Sequence, residues 1–343
     1  MLNAGFFPRG IAIVFAFACA SAGAQAVRVQ PVAQALAYPW AVAFLPQGRF
    51  LVTEKPGRLR RIDAQGAISA PLQGLPPIAV RDQGGLLDIV TDSDFARNRT
   101  LYFCYAEPDA TPGSQANSTA LARARLSDDE TRLEDLRVIF SQKPKVAAHQ
   151  HFGCRIAEAR DGTLFLTLGE RYHRRDDAQK LDNHLGKVVR IHKDGSVPAD
   201  NPFVGRAGAL PEIWSYGHRN PQGATLMPDG TLWIHEHGPQ GGDEINIPLA
   251  GRNYGWPVVT FGENYGGGKI GVGSAAPGME PPLHYWVPSI APSGMALLTS
   301  DRYGPAWKGN LFVGSLKFGF LDRIELSGQT VRAEHRLLED GRE

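Results

Sequence analysis

The sequence predicts an all-β fold, a β-propeller, and three observations carry that expectation. A unit made of an apolar strand, a glycine-bearing turn and a second strand with a polar tip recurs at irregular intervals of roughly 45 to 75 residues, as propeller blades with insertions would. Glycine and proline are abundant, 39 and 25 of 343 residues, which suits many turns between short strands. No long stretch carries a helical apolar period, and residues 177–185 offer the best candidate for one short helix.

The first unit runs from Ala41 to Glu54 (AVAFLPQGRFLVTE), followed by an outer strand at Arg58 to Ile62. The second spans Gly85 to Tyr105, and the third Ile156 to Glu170 (IAEARDGTLFLTLGE). The fourth spans Gly223 to Glu236 around Pro228-Asp229-Gly230, where Asp-Gly supplies the positive φ of a tight hairpin. The fifth spans Gly294 to Ser315, with Leu321 to Leu326 as its outer strand. Five units are visible, and the chain stops at Gly341-Arg342-Glu343, where a sixth inner hairpin would be expected to begin.

The first residues read as a secretory leader: Arg9, an apolar run from Ile11 to Ala20, then small residues that offer cleavage after Ala24 or as late as Ala26. The apolar run is short for a bilayer span, so no membrane span is expected in the mature chain, which is placed in the periplasm or secreted. Loss of Arg9 takes Lys plus Arg from 36 to 35, level with 35 Asp plus Glu, and a formally neutral chain argues against nucleic acid as partner. Residues 27–343 read as one propeller domain, truncated at its C-terminus. Cys104 and Cys154 then remain; they can pair in an oxidising compartment, or Cys154 is simply buried, and their spacing fits no metal signature.

Chemistry concentrates between Glu212 and Pro257. Gly217 ahead of His218-Arg219-Asn220 leaves room for a bulky group against Arg219, whose planar fork suits a carboxylate. Gly238 and Pro239 put two carbonyls in a turn, and Asp243, Glu244 and Tyr254 follow closely, which is the hard oxygen chemistry calcium prefers. Three further stretches stand out. Asp82-Gln83-Gly84-Gly85 lets backbone approach a planar ligand, with the Gln83 amide able to donate and accept. His149-Gln150-His151-Phe152-Gly153-Cys154-Arg155 offers histidines suited to general-base work at neutral pH. Gly169-Glu170-Arg171 follows a strand, with Gln179 just beyond, and Lys317 sits at a strand end after Gly314-Ser315.

GHRNPQG at 217–223, HEHGPQGGDEIN at 235–246 and GRNYGWP at 251–257 closely resemble the soluble pyrroloquinoline-quinone (PQQ) dependent aldose and glucose dehydrogenases, and the likeness extends from about Tyr38 onward. That resemblance implies six four-stranded antiparallel blades, the last incomplete here. It implies oxidation of the C1 hydroxyl of an aldose sugar to a lactone, with PQQ and calcium as cofactors and an external electron acceptor. His151, four residues before Arg155, matches the family's base, with His149 as the competing register. Gln83, Arg219, Asn220 and Lys317 match cofactor-binding positions, and Glu170 with Gln179 would hold substrate. Gly238 and Pro239 match the carbonyl ligands of the cofactor calcium, and Glu244 and Tyr254 those of a second calcium. Relatives carry Asp in a Gly-Asp-Arg/Gln-Gly loop where this chain has Glu170, and Tyr172 replaces the Gly, which bears on substrate preference. Two other readings are a calcium-dependent propeller lactonase or esterase, and a non-catalytic sugar-binding propeller. Gln83, Arg219 and Lys317 together speak against a hydrolase, which has no need of an anion-binding cradle.

Overall fold

A strand covered on both faces shows it in its sequence. In a computed structural model, which describes residues 27–339, the segment Thr163–Leu168 (TLFLTL) is buried at every position, and the outermost strand Thr330–Leu337 (TVRAEHRL) alternates exposed and half-buried residues. Continuous apolar runs form where neighbouring sheets cover both sides, and alternation returns at the rim.

Residues 31–339 build five antiparallel sheets, each a meander of consecutive strands. The first holds β1 (Pro39–Leu45), β2 (Arg49–Glu54) and β3 (Arg58–Ile62). The second holds β4 (Leu86–Thr91), β5 (Thr100–Pro108), β6 (Asn117–Leu126) and β7 (Leu133–Ser141). The third holds β8 (Gly153–Glu158), β9 (Thr163–Leu168), β10 (Lys187–His192) and β11 (Ile213–Tyr216). The fourth holds β12 (Pro221–Leu226), β13 (Leu232–Glu236), β14 (Asp243–Asn246) and β15 (His284–Trp286). The fifth holds β16 (Pro292–Leu297), β17 (Leu311–Ser315), β18 (Leu321–Ser327) and β19 (Thr330–Leu337).

Successive inner strands β1, β4, β8, β12 and β16 pack side by side, which is the blade arrangement of a propeller. The expected count of six blades is corrected to five. Every blade is seeded by its own inner hairpin, and the five hairpins read from the sequence are the five present among the described residues. The expected helix at 177–185 is one 3₁₀ turn, Arg175–Gln179. The leader falls outside the described residues.

All five inner strands begin with a break in register: between Pro39 and Ala41, Leu86 and Ile89, Gly153 and Ile156, Pro221 and Gly223, and Pro292 and Met295. Bulges of this kind re-aim side chains at a rim and leave backbone groups to satisfy. In the first and third blades the second strand does this at one repeated position. Thr53 Oγ1 accepts from Ala41 N at 3.0 Å and donates to Leu87 O of the next blade at 2.6 Å. Thr167 Oγ1 likewise accepts from Arg155 N and donates to Pro221 O, both at 3.0 Å. Cys104 occupies the same place in the second blade, and there the tie to the next blade is a disulfide to Cys154. The two cysteines therefore pair, with Cα atoms 5.9 Å apart and both side chains fully buried.

Candidate functional site

The loop entering β8 turns through an unusual backbone. His151 has φ +51, Gly153 φ +65 and Cys154 φ +79, so three of four residues are left-handed. Only glycine adopts that region freely, and the others are held there by their surroundings. The restraints are visible. Gln83 Oε1 accepts from His151 N at 2.8 Å, Thr119 Oγ1 donates to Phe152 O at 2.7 Å, and Asn220 Oδ1 accepts from Gly153 N at 3.0 Å. Arg171, itself fully buried, donates from Nε to Gln150 O at 3.0 Å and from Nη2 to Ala148 O at 2.6 Å. Its remaining donors meet Asn117 O and Asn117 Oδ1, and the guanidinium lies 3.9 Å from the centre of the Phe152 ring. Burial pulls the Arg171 pKa down to about 10, against the pull of Glu170.

These restraints aim the His151 ring at Glu170. Nδ1 lies 2.6 Å from Glu170 Oε2, with His151 6% and Glu170 1% exposed. A carboxylate there accepts the hydrogen bond of Nδ1–H, which fixes that tautomer and leaves Nε2 with the free lone pair of a general base. Burial holds the His151 pKa below its ordinary value; Glu170 opposes that fall, while Arg219 and Arg171 add to it. The imidazole is therefore neutral at neutral pH. Glu170 Oε2 also accepts from Tyr172 N at 2.6 Å, and Glu170 N donates to Arg219 O, so the carboxylate is fixed from both sides.

Glu170 and Arg219 line a cleft of about 370 Å³ whose other walls include Tyr172, Pro239, Trp256 and Tyr265. Arg219 is 5% exposed, donates from Nη1 to His237 O and Gly238 O, and faces the Trp256 ring at 5.2 Å. Its Nε and the Trp256 Nε1 are buried donors without a partner among the described residues. Two orphaned donors on one cleft, one of them cationic, suit a flat ligand rich in acceptor oxygens. Pro239 lines the same cleft, and its neighbour Gly238 is set by its N–H donating to Asp243 Oδ1 at 2.8 Å.

Beside it lies a small cavity bordered by Glu236, Glu244 and Tyr254. Asn246 Nδ2 bridges Glu236 Oε1 and Glu244 Oε2, and Asn246 Oδ1 has no partner among the described residues. Burial and neighbouring Glu236 push the Glu244 carboxyl well above the usual carboxylate range. A buried and a half-buried carboxylate with an orphaned carbonyl oxygen are a donor set a hard cation would relieve. Among the described residues no three His, Cys, Asp or Glu side chains gather in a metal-ligating group, so any cation here also depends on backbone oxygens.

Other expected residues stand further off. The Gln179 amide is engaged with Asn253 in both directions and donates to Trp256 O at 2.7 Å, so it braces the Trp256 loop. Beneath that turn, Lys187 donates to the carbonyls of Asp177, Ala178 and Leu185, and burial pulls its pKa down to about 7. Lys317 is exposed, its ammonium 5.0 Å from the Phe318 ring. His149 is half-buried in the same loop as His151, and its carbonyl accepts from Gln83 N. The Tyr254 hydroxyl donates to Ile247 O and accepts from Leu249 N, leaving its ring stacked on His218 at 4.7 Å. Sequence reading gave no role to Arg171 or Glu236, and it grouped Asp243 with calcium-type oxygen chemistry, where the structure gives its carboxylate to backbone and serine donors. Asp243 Oδ2 alone accepts from Ser289 Oγ, Ile290 N and Ala291 N, joining the fourth blade to the fifth. A charged residue directly after a strand-end acid was the available signal for Arg171.

Residues 36–343 match the family model described as Glucose / Sorbosone dehydrogenase. The chain is 44% identical to the aldose sugar dehydrogenase YliI of Escherichia coli (strain K12) over 320 residues, 92% of this chain and 84% of the relative. Its fold superposes with a TM-score of 0.86 on a crystal structure of a glucose dehydrogenase at 49% identity, covering 89% of this chain and 88% of the other. It superposes with a TM-score of 0.73 on the PQQ-bound form of an aldose sugar dehydrogenase from Streptomyces coelicolor, at 29% identity over 90% of this chain and 84% of that one.

Proposed function

The chain belongs to the glucose/sorbosone dehydrogenase family, and from that premise we propose that it oxidises the C1 hydroxyl of an aldose sugar to the lactone, using PQQ and calcium. The observation that carries the reading is the His151–Glu170 pair at 2.6 Å, whose Glu170 lines the Arg219 cleft. PQQ supplies a two-electron, hydride-accepting quinone when bound, and calcium polarises its carbonyl.

The chain's own residues do the rest. Oxidation at C1 needs the hydroxyl proton removed as hydride leaves, and neutral His151 accepts it at Nε2. Glu170 holds the Nδ1 proton and stabilises the imidazolium that forms, as a buried carboxylate next to an imidazole does. Arg219 and the Trp256 indole would hold the cofactor through their free donors, with Asn220 and Gln83 fixing the loop that carries His151. The carbonyls of Gly238 and Pro239 would hold the cofactor's calcium, and Glu244, with a carbonyl oxygen of Tyr254, a second one. Arg219 would also offset negative charge gained on reduction.

Export to the periplasm or beyond is part of the proposal. It is supported by the leader-like start of the sequence and by the buried Cys104–Cys154 disulfide, which suits an oxidising compartment. Electrons would leave to an external acceptor. The test is reconstitution of purified protein with PQQ and calcium, followed by dye reduction with a panel of aldoses. Reduction that needs both cofactors and an aldose supports the reading; hydrolysis of lactones with no dye reduction would replace it with the hydrolase reading.

A further inference from the structure

Arg171 and Tyr172 are consecutive residues with left-handed backbones, φ +66 and +63. A glycine takes such a conformation without cost, and a bulky aromatic residue is an outlier there. Strain of this kind persists where the surroundings over-determine it, and it clusters at ligand-binding positions. The Tyr172 ring explains what holds it. It stands edge-on to the His151 ring, centroids 5.2 Å apart at 81°, and its other neighbour is His173 at 4.9 Å and 85°. Tyr172 remains 38% exposed as a residue and forms part of the cleft wall with Glu170 and Arg219. Its N–H is spent on Glu170 Oε2, and its hydroxyl hydrogen-bonds to nothing among the described residues.

We propose that Tyr172 is a specificity-determining residue that touches the sugar: its ring limits the space beside His151, and its free hydroxyl bonds a substrate hydroxyl. This rests on the sugar dehydrogenase reading above. A substrate whose reacting C1 lies at His151 Nε2 must pass the Tyr172 ring, because that ring packs directly against the imidazole. An aromatic face with a polar tip suits a sugar, which is apolar on its ring faces and polar at its edge. The chosen conformation also separates the side chain's purpose from the backbone's preference. The turn favours glycine, so the ring is present for what it contacts.

The experiment compares wild type with Tyr172→Phe, Tyr172→Ala and Tyr172→Gly in the holoenzyme, using glucose and maltose as probes. Three quantities are read: kcat and KM for each sugar, equilibrium binding of each sugar by saturation-transfer NMR, and Tm. Tyr172→Phe should raise KM about fivefold or more with kcat changed less, as loss of one neutral hydrogen bond implies. Tyr172→Gly and Tyr172→Ala should shift the glucose-to-maltose ratio of kcat/KM about tenfold toward the bulkier sugar. Tyr172→Gly should melt above Tyr172→Ala, since both lose the ring and only glycine sheds the strain. An unchanged sugar ratio in all three variants, or a fall in kcat at constant KM, overturns the proposal and makes Tyr172 a support for His151. Should wild type bind sugar without turnover, the dehydrogenase reading fails, and loss of that binding in Tyr172→Gly still upholds the contact. Sugar binding that is absent, or indifferent to Tyr172, removes it.

Discussion

Replacing Glu170 by Gln keeps the side chain's length and removes its charge from His151. The hydrogen bond it alters is 2.6 Å long, between groups 6% and 1% exposed, so solvent screens it little. A hydrogen bond to a charged group is worth about 1.5–3 kcal/mol, and most of that is realised only when the imidazole takes the substrate proton. Loss of it from the transition state implies a fall in kcat of about ten- to a hundredfold. The pH profile moves as well. Burial, Arg219 and Arg171 lower the His151 pKa, and Glu170 is the group that opposes them. A base must be neutral to act, so activity is lost as pH falls through that pKa. Without the Glu170 charge the pKa falls further, and the acidic limb of kcat/KM shifts to lower pH while the plateau drops. Steady-state dye reduction across pH, with Tm as a folding control, reads both effects. A limb that moves to higher pH, or a plateau within twofold of wild type, refutes the pairing as the source of base strength.

Arg171→Met removes a fully buried side chain that makes four polar contacts and leaves the carbonyls of Ala148, Gln150 and Asn117 without those donors. At about 1–3 kcal/mol for each buried group left unpaired, Tm should drop by several degrees and kcat should fall with it, because His151 loses its fixed backbone. An unchanged Tm would contradict the clamp. Glu244 gives a prediction for metal removal. Its folded pKa is raised, so the folded state keeps a proton the unfolded chain gives up, and metal-free protein loses stability as pH rises through the neutral range. A bound cation cancels that loss, so a chelator should lower Tm more at about pH 8 than at about pH 5. Equal shifts at the two pH values would place no cation at Glu244.

The five inner hairpins were legible because each carries its signal locally. Pro228-Asp229-Gly230 marks a turn, and the strand after it is buried at every position. Strands such as β7 and β19 alternate weakly and sit among charges, so the sequence left them unassigned. The count of six blades came from resemblance and not from hairpins, and the hairpins were the better guide. In the site, His151, Glu170 and Arg219 could each be singled out by residue type and neighbours. Their pairing could not be, because it depends on how the β8 and β9 ends meet across a bulge. Gln179 was read as facing the sugar, and its amide is instead satisfied by Asn253 and Trp256, residues more than seventy positions away. Arg171 was overlooked because an arginine in a loop is usually solvated, and only the fold shows it buried.

The most direct measurement is a single turnover under anaerobic conditions, with wild type and His151→Ala each loaded with PQQ and calcium and mixed with one equivalent of aldose. The cofactor's absorbance reports binding and reduction separately. The expected result is that both proteins bind PQQ alike, that wild type is reduced within one turnover, and that His151→Ala is reduced about a hundred- to ten-thousandfold more slowly. Reduction of His151→Ala at the wild-type rate would contradict the assignment of the base, and a wild type that binds PQQ without being reduced by any aldose would contradict the function.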